Sequence, residues 1–225
     1  MASKFDPAYD DLPDEIPIFP LSGALLLPHG QLPLNIFEPR YLAMIRAALA
    51  SRQRLIGMVQ PRETAEAVSG DMGAAEVYPT GCAGRIIQFH ETDDGRYIIT
   101  LKGVCRFDIA GELPKHHGYR RVRPDFSAYR GDLQDVGGVS YDRDRLLKAL
   151  KVYFHKQGIE ADWQEVEESA DARLITSLAM VCPFRAEEKQ ALLEASDLRS
   201  RADMLISLME MALMDQDPQE SGLRH

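Results

Sequence analysis

The residues able to do chemistry in this 225-residue chain are few, and their spacing argues against most reactions. His90-Glu91 lacks the second histidine four positions on that a zinc peptidase helix needs. Asp93-Asp94-Gly95 lacks the alternating oxygen donors of a calcium loop and reads as a turn. His116-His117 would need metal ligands from elsewhere, and a solvated loop accounts for the pair. Ser22-Gly23 has no G-x-S-x-G around it. Cys82, Cys105 and Cys182 are odd in number and contain no C-x-x-C, so neither a disulfide framework nor a zinc ribbon is implied. No G-x-x-x-x-G-K-[ST] cradles a nucleotide phosphate. These absences predict no catalytic residue, no metal and no cofactor. Glu38 and Arg40, beside Phe37 and Tyr41, suit a helix start, where the acid favours the positive end of the dipole.

What is left is binding chemistry. One concentrated basic run, Lys115, Arg120, Arg121, Arg123 and Arg130, is the only feature that suits RNA. Against it stand a net charge of −9 and a pI of about 5.2, and neighbouring Tyr119 and Phe126 are accounted for as strand and core residues. Apolar binding has two candidate places. Pro28, Leu32 and Pro33 lie at a turn, and Ile98 alternates away from the core face of its strand. Met204, Leu208 and Met211 form a row beside the core row of the last helix, and thioethers repack around varied partners.

The elements that must carry these residues follow from periodicity. Ile16 to Phe19, Ala24 to Leu27 and Leu32 to Ile36 read as strands between proline and glycine punctuation. After Pro39 the period turns helical, with Tyr41, Met44, Ile45 and Ala48 on one face. Arg54 to Gln60 reads as a strand and Pro61 to Ala75 as a mobile loop. Val77 to His90 and Arg96 to Ile109 form a hairpin turned at Thr92 to Gly95, with Tyr97, Ile99 and Leu101 inward and Ile98 outward. Gly118 to Phe126 closes the β part. Helices follow on Leu146, Leu147, Leu150 and Phe154, on Ala172, Ile175, Leu178 and Ala179, and over Ala186 to Ala195. The last has Asp197 as its cap and Leu198, Ala202, Leu205, Met209 and Ala212 at spacings of three and four.

The string from Pro17 to Tyr41, PIFPLSGALLLPHGQLPLNIFEPRY, closely resembles the start of the N-terminal, substrate-recognition domain of the Lon proteases. Lys102-Gly103-Val104-Cys105-Arg106 is similar to that family's E-G-x-x-R segment, with Lys102 replacing the usual Glu, and Glu188 to Glu194 to its K-Q-x-L-L-E run. The matches span about residues 15 to 214, and Phe37 to Tyr41 looks closer to stand-alone members without ATPase and peptidase domains. The resemblance implies an α+β fold, with a PUA-like β pseudo-barrel followed by a C-terminal helical bundle. The division expected is a flexible tail over 1–14, the β domain over 15–131, a linker over 132–140, the bundle over 141–214 and a flexible tail over 215–225. It also implies a non-catalytic module that binds exposed apolar segments of unfolded proteins, or a protease or chaperone partner. The acidic N-terminus and the lack of a long apolar run point to the cytoplasm, away from membranes.

Overall fold

A computed structural model describes residues 5–62, 75–134 and 138–214. The loop expected at 61–75 and the tail expected at 215–225 fall largely or wholly outside them. The fold is mixed α and β, with a six-stranded sheet.

The strands are β1 (Ile16–Pro20), β2 (Gln31–Ile36), β3 (Leu55–Val59), β4 (Thr80–Glu91), β5 (Tyr97–His116) and β6 (Tyr119–Asp125). Their order is β2-β5-β4-β3-β1-β6, and β5 also pairs with β6, so five strands close a ring and β2 extends it at one side. The 20-residue β5 makes this possible, because its first part pairs β2 and β4 and its last part pairs β6. The β4–β5 ladder shifts register twice, with Val104 of β5 the extra residue opposite Ala83/Gly84 and Ile87 of β4 the extra residue between Ile86 and Gln88, and such bulges bend the strands. Inside the ring, Ile16, Ile18, Val104, Phe107, Val122 and Phe126 form a buried core.

The central hairpin follows the expected alternation: Tyr97, Ile99 and Leu101 are buried, and Ile98 is 47% exposed. Its turn closes through Thr92, whose backbone N–H donates to the Arg96 carbonyl at 2.9 Å, with Gly95 at φ +81°. His116 and Tyr119 close the β5–β6 hairpin, and between them His117 (φ 48°) and Gly118 (φ 85°) both take the left-handed conformation that a two-residue hairpin turn requires.

Ala24 to Leu27 is not a strand. Leu25, Leu26 and Leu27 are buried in an irregular segment whose backbone is met by β5: His29 N–H donates to Gly103 O at 2.9 Å, and Gly103 N–H to Gly30 O at 2.8 Å. An apolar run without alternation carries burial but no strand period.

Helix α1 (Pro39–Ala50) begins with proline at its first position and buries Tyr41, Met44, Ile45 and Ala48. The later helices are α2 (Arg143–Gln157), α3 (Trp163–Glu168), α4 (Asp171–Val181), α5 (Ala186–Glu194) and α6 (Leu198–Met214). The chain forms two compact units, and they divide it differently from a simple cut near residue 140. The first holds residues up to 136 together with Met180–Glu194; the second holds 137–179 and the chain from Ala195 on. Helix α5 therefore belongs with the sheet. Gln190 Nε2 donates to Thr80 O at 3.1 Å, Lys189 Nζ donates to Gly23 O, and Arg106 Nη1 donates to Leu193 O at 3.1 Å.

In the second unit, Arg145 grips Glu210 with two bonds of 2.8 and 2.6 Å, joining α2 to α6. Arg143 gathers Asp171 and the carbonyls of Glu167 and Ser169. The short α3 had no sequence signal beyond Asp162, which caps it through the N–H groups of Gln164 and Glu165. No described helix is long and apolar enough to cross a membrane.

Candidate peptide-binding surface

The pleat decides which apolar side chains meet. Directly paired residues share a face, so β2, β5 and β4 present the rows Leu34–Ile99–Phe89 and Leu32–Leu101–Ile86 on the core side. On the other side lie Asn35–Ile98–His90, Pro33–Thr100–Gln88 and Gln31–Lys102–Arg85. Leu32 and Ile98 therefore occupy opposite faces and cannot form one patch. Ile98 is a single apolar side chain in a polar row, which is ordinary for a surface.

The core-side rows are incompletely covered. Leu32 and Leu34 are half-buried, and Phe89 is 40% exposed although its row partner Ile99 is fully buried. The Phe89 ring stands edge-on to Tyr97 at 5.0 Å, and the Tyr97 hydroxyl accepts from Arg46 Nε at 2.7 Å. An aromatic held from one side by a second, fixed aromatic is a rigid apolar contact. Sequence reasoning passed over Phe89; Thr92 pairs with Arg96 across only Asp93, Asp94 and Gly95, which puts Phe89 in register with Ile99. Phe37, directly after β2, is 64% exposed, and Ile87, the extra residue of a β4 bulge, 37%.

Of the remaining expected site residues, Pro28 is buried and Pro33 exposed. In the second unit Met204 and Leu208 are half-buried and Met211 is 57% exposed, beside fully buried Leu205 and Met209.

The basic run is not a free stripe. Arg120 is buried, its guanidinium donating to Ala75 O at 2.8 Å and paired with Glu112. Arg121 is held by Glu15 at 2.9 Å and by the Pro114 carbonyl, and Arg130 lies 4.0 Å over the Tyr9 ring. Three of the five cations of the run are thus engaged within the chain, and nothing in the described fold supports the RNA reading.

The motif residues turn out to hold the fold. A Cβ at Gly103 would lie 2.7 Å from the Leu27 carbonyl carbon, so only glycine admits the irregular segment against β5. Arg106 is buried with Asp132: its Nε and Nη2 each donate to the carboxylate at 2.9 Å, and its backbone N–H donates at 3.0 Å. Asp132, expected in a linker, is thus an anchor. Glu38 and Arg40 pair locally at 2.8 Å, with Arg40 over the Tyr41 ring, and Glu38 makes no cap bond. Among the described residues no group of three or more His, Cys, Asp or Glu could hold a metal ion.

The first unit thus carries a closed strand ring, a flanking strand β2 and a partly open apolar strip of Leu32, Leu34 and Phe89. The model of the family described as ATP-dependent protease La (LON) substrate-binding domain matches residues 15–211, and the chain belongs to that family. It is 28% identical over 202 residues to Lon protease 2 of Myxococcus xanthus, covering 89% of this chain and 24% of that one. It is 23% identical over 205 residues to the Lon protease of Escherichia coli K12, covering 87% and 24%. The chain thus spans about a quarter of these relatives. The Lon N-terminal domain protein from Xanthomonas campestris has the same fold, with a TM-score of 0.56 at 20% identity over 86% of this chain and 97% of that one. The N-terminal domain of the Mycobacterium avium complex Lon protease gives 0.59 at 16% identity over 87% and 98%.

Proposed function

We propose that the chain is a non-catalytic recognition module for exposed apolar segments of unfolded proteins, working in the cytoplasm on its own or with a protease or chaperone. Its closed strand ring is read as a PUA-like pseudo-barrel and its second unit as a helical bundle. The observation that carries the reading is the partly open strip of Leu32, Leu34 and Phe89 in a domain of a substrate-binding family. An extended apolar chain needs no reactive group to bind there, only a pocket for alternate side chains along a pleated surface.

The test uses a permanently unfolded, carboxymethylated protein as probe. Phe89→Ser with Leu34→Ser should weaken its binding by about tenfold, compared at equal folded fraction. Ile98→Ser, on the other face, should leave it unchanged. Binding should persist at high salt, where ion pairs are screened. Equal binding by the double variant would move the site to Met204, Leu208 and Met211. ATP hydrolysis or peptide cleavage that a point change in this chain abolishes would overturn the non-catalytic reading.

A further inference from the structure

Residues 5–14, part of the tail expected to be loose over 1–14, and Glu15 after them lie fixed along the first unit by aromatic and acidic contacts. Phe5 sits 5.5 Å from the Arg85 guanidinium. Asp6 accepts from Lys102 Nζ at 2.5 Å, with the two side chains only 17% and 16% exposed. Tyr9 lies 4.0 Å beneath Arg130, and Tyr9 and Leu12 pack against the ring's core. Asp11 pairs with Arg52 at 3.3 Å, and its carbonyl accepts from Gln53 at 3.0 Å. Glu15 meets Arg121 at 2.9 Å.

Five cations from separate places in the sequence, the end of α1, β4, β5, β6 and the 3-10 turn after β6, thus converge on one short segment of a chain whose net charge is −9. Arg85 and Lys102 are register partners on the face opposite Leu34 and Phe89, so this track is separate from the apolar strip.

We propose that this cationic track is a docking site for an extended acidic segment carrying aromatic residues, and that residues 5–15 are its built-in occupant, displaced when such a partner binds. The chemistry of the partner is that of the strap: a carboxylate for the desolvated Lys102 ammonium and aromatic rings for Arg85 and Arg130. The exposed pairs Asp11–Arg52 and Glu15–Arg121 hold weakly, and tethering, which sets an effective concentration in the millimolar range, adds to what Asp6 on Lys102 and Tyr9 and Leu12 on the core contribute. A free competitor gains access when the strap's own charges are weakened.

The experiment uses the full chain and a full-chain variant, Asp6→Asn, Asp11→Asn and Glu15→Gln, which keeps side-chain shape and removes charge. The probe is a synthetic peptide with the sequence of residues 1–15, titrated into each isotope-labelled protein by NMR. The variant should bind the peptide at least about tenfold more tightly than the parent. Binding should fall with added salt, and adding Lys102→Glu should abolish it. If the variant is unfolded, Asp6→Asn alone should show the same order. The proposal is overturned if a folded variant binds no better than the parent, if Lys102→Glu leaves binding unchanged, or if a peptide with its acids replaced by amides binds equally; each result would make the strap a fixed part of the fold. Phe89→Ser should leave this binding intact.

Discussion

At Gly103 and Arg106 the family-like motif is spent on cohesion rather than on contact with a partner. Because the group facing Gly103 is the backbone of Leu27, it cannot swing aside as a side chain would. Gly103→Ala should therefore destabilise the first unit by about 1–3 kcal/mol or more, seen as a lower urea midpoint with unchanged slope. Arg106 presents a different case, since its charge is already desolvated and its guanidinium is gripped by the Asp132 carboxylate. Asp132→Ala would take the carboxylate away from a buried guanidinium and should cost about 3–5 kcal/mol. That is a large part of the 5–15 kcal/mol typical of a domain, so the variant should be partly unfolded near 37 °C by circular dichroism. The importance of Asp132 was not legible in sequence, because its partner stands 26 residues away. An acid in the polar, glycine-containing run Asp132 to Ser140 looks like linker composition.

Elements were legible where period and punctuation agreed. The hairpin of β4 and β5 has both, and its inward and outward residues lie where alternation puts them. Ala24 to Leu27 has apolar character alone and folded as irregular buried chain. The pairing of Leu32 with Leu101 rather than with Ile98 depends on register between distant strands, which a single sequence does not carry. Helix α6 is the opposite case, since Asp197 announces its start and the structure has Asp197 accepting from Ser200 N–H at 2.7 Å. That backbone hydrogen bond holds the Asp197 carboxyl below its ordinary range. A carboxylate with a depressed folded pKa contributes stability that is present above its unfolded pKa and is lost as pH falls through the folded value. Asp197→Ala should therefore lower the melting temperature at neutral pH, and parent and variant should converge as the pH drops below the normal carboxylate range. A gap that stays constant down to acid pH would show that the cap charge contributes nothing.

At the scale of the whole molecule, each unit carries its own reporter. The single tryptophan, Trp163, lies in the second unit, 6.0 Å from Phe154. Cys105 lies in the first, and burial, followed by the nearby Asp132 charge, pushes its thiol up to about 12, so it is unreactive while folded. Leu205, fully buried in α6, should cost about 2–5 kcal/mol when changed to Ala. In urea that loss should shift the Trp163 fluorescence midpoint further than the onset of Cys105 labelling at pH 8. Equal shifts of both probes would mean that the two units unfold as one. The assignment of α5 to the sheet was the least legible feature at this scale. Its own pattern is an ordinary amphipathic helix, and only Lys189, Gln190 and the Leu193 carbonyl, read with their distant partners, reveal where it belongs.

Strand β2 ends the ordered series of strands, with β5 on one side of it, and carries Pro33 in its middle. A proline suits such an edge because its missing N–H leaves a neighbouring chain one donor short. For a module proposed to handle unfolded chains, this bears on what happens after capture. A bound segment can rest its side chains on Leu34 and Phe89, but it cannot zip onto the backbone of β2 without a gap at position 33. On that proposal the sheet edge is a poor seed for strand-by-strand growth, and capture on the apolar strip stays reversible.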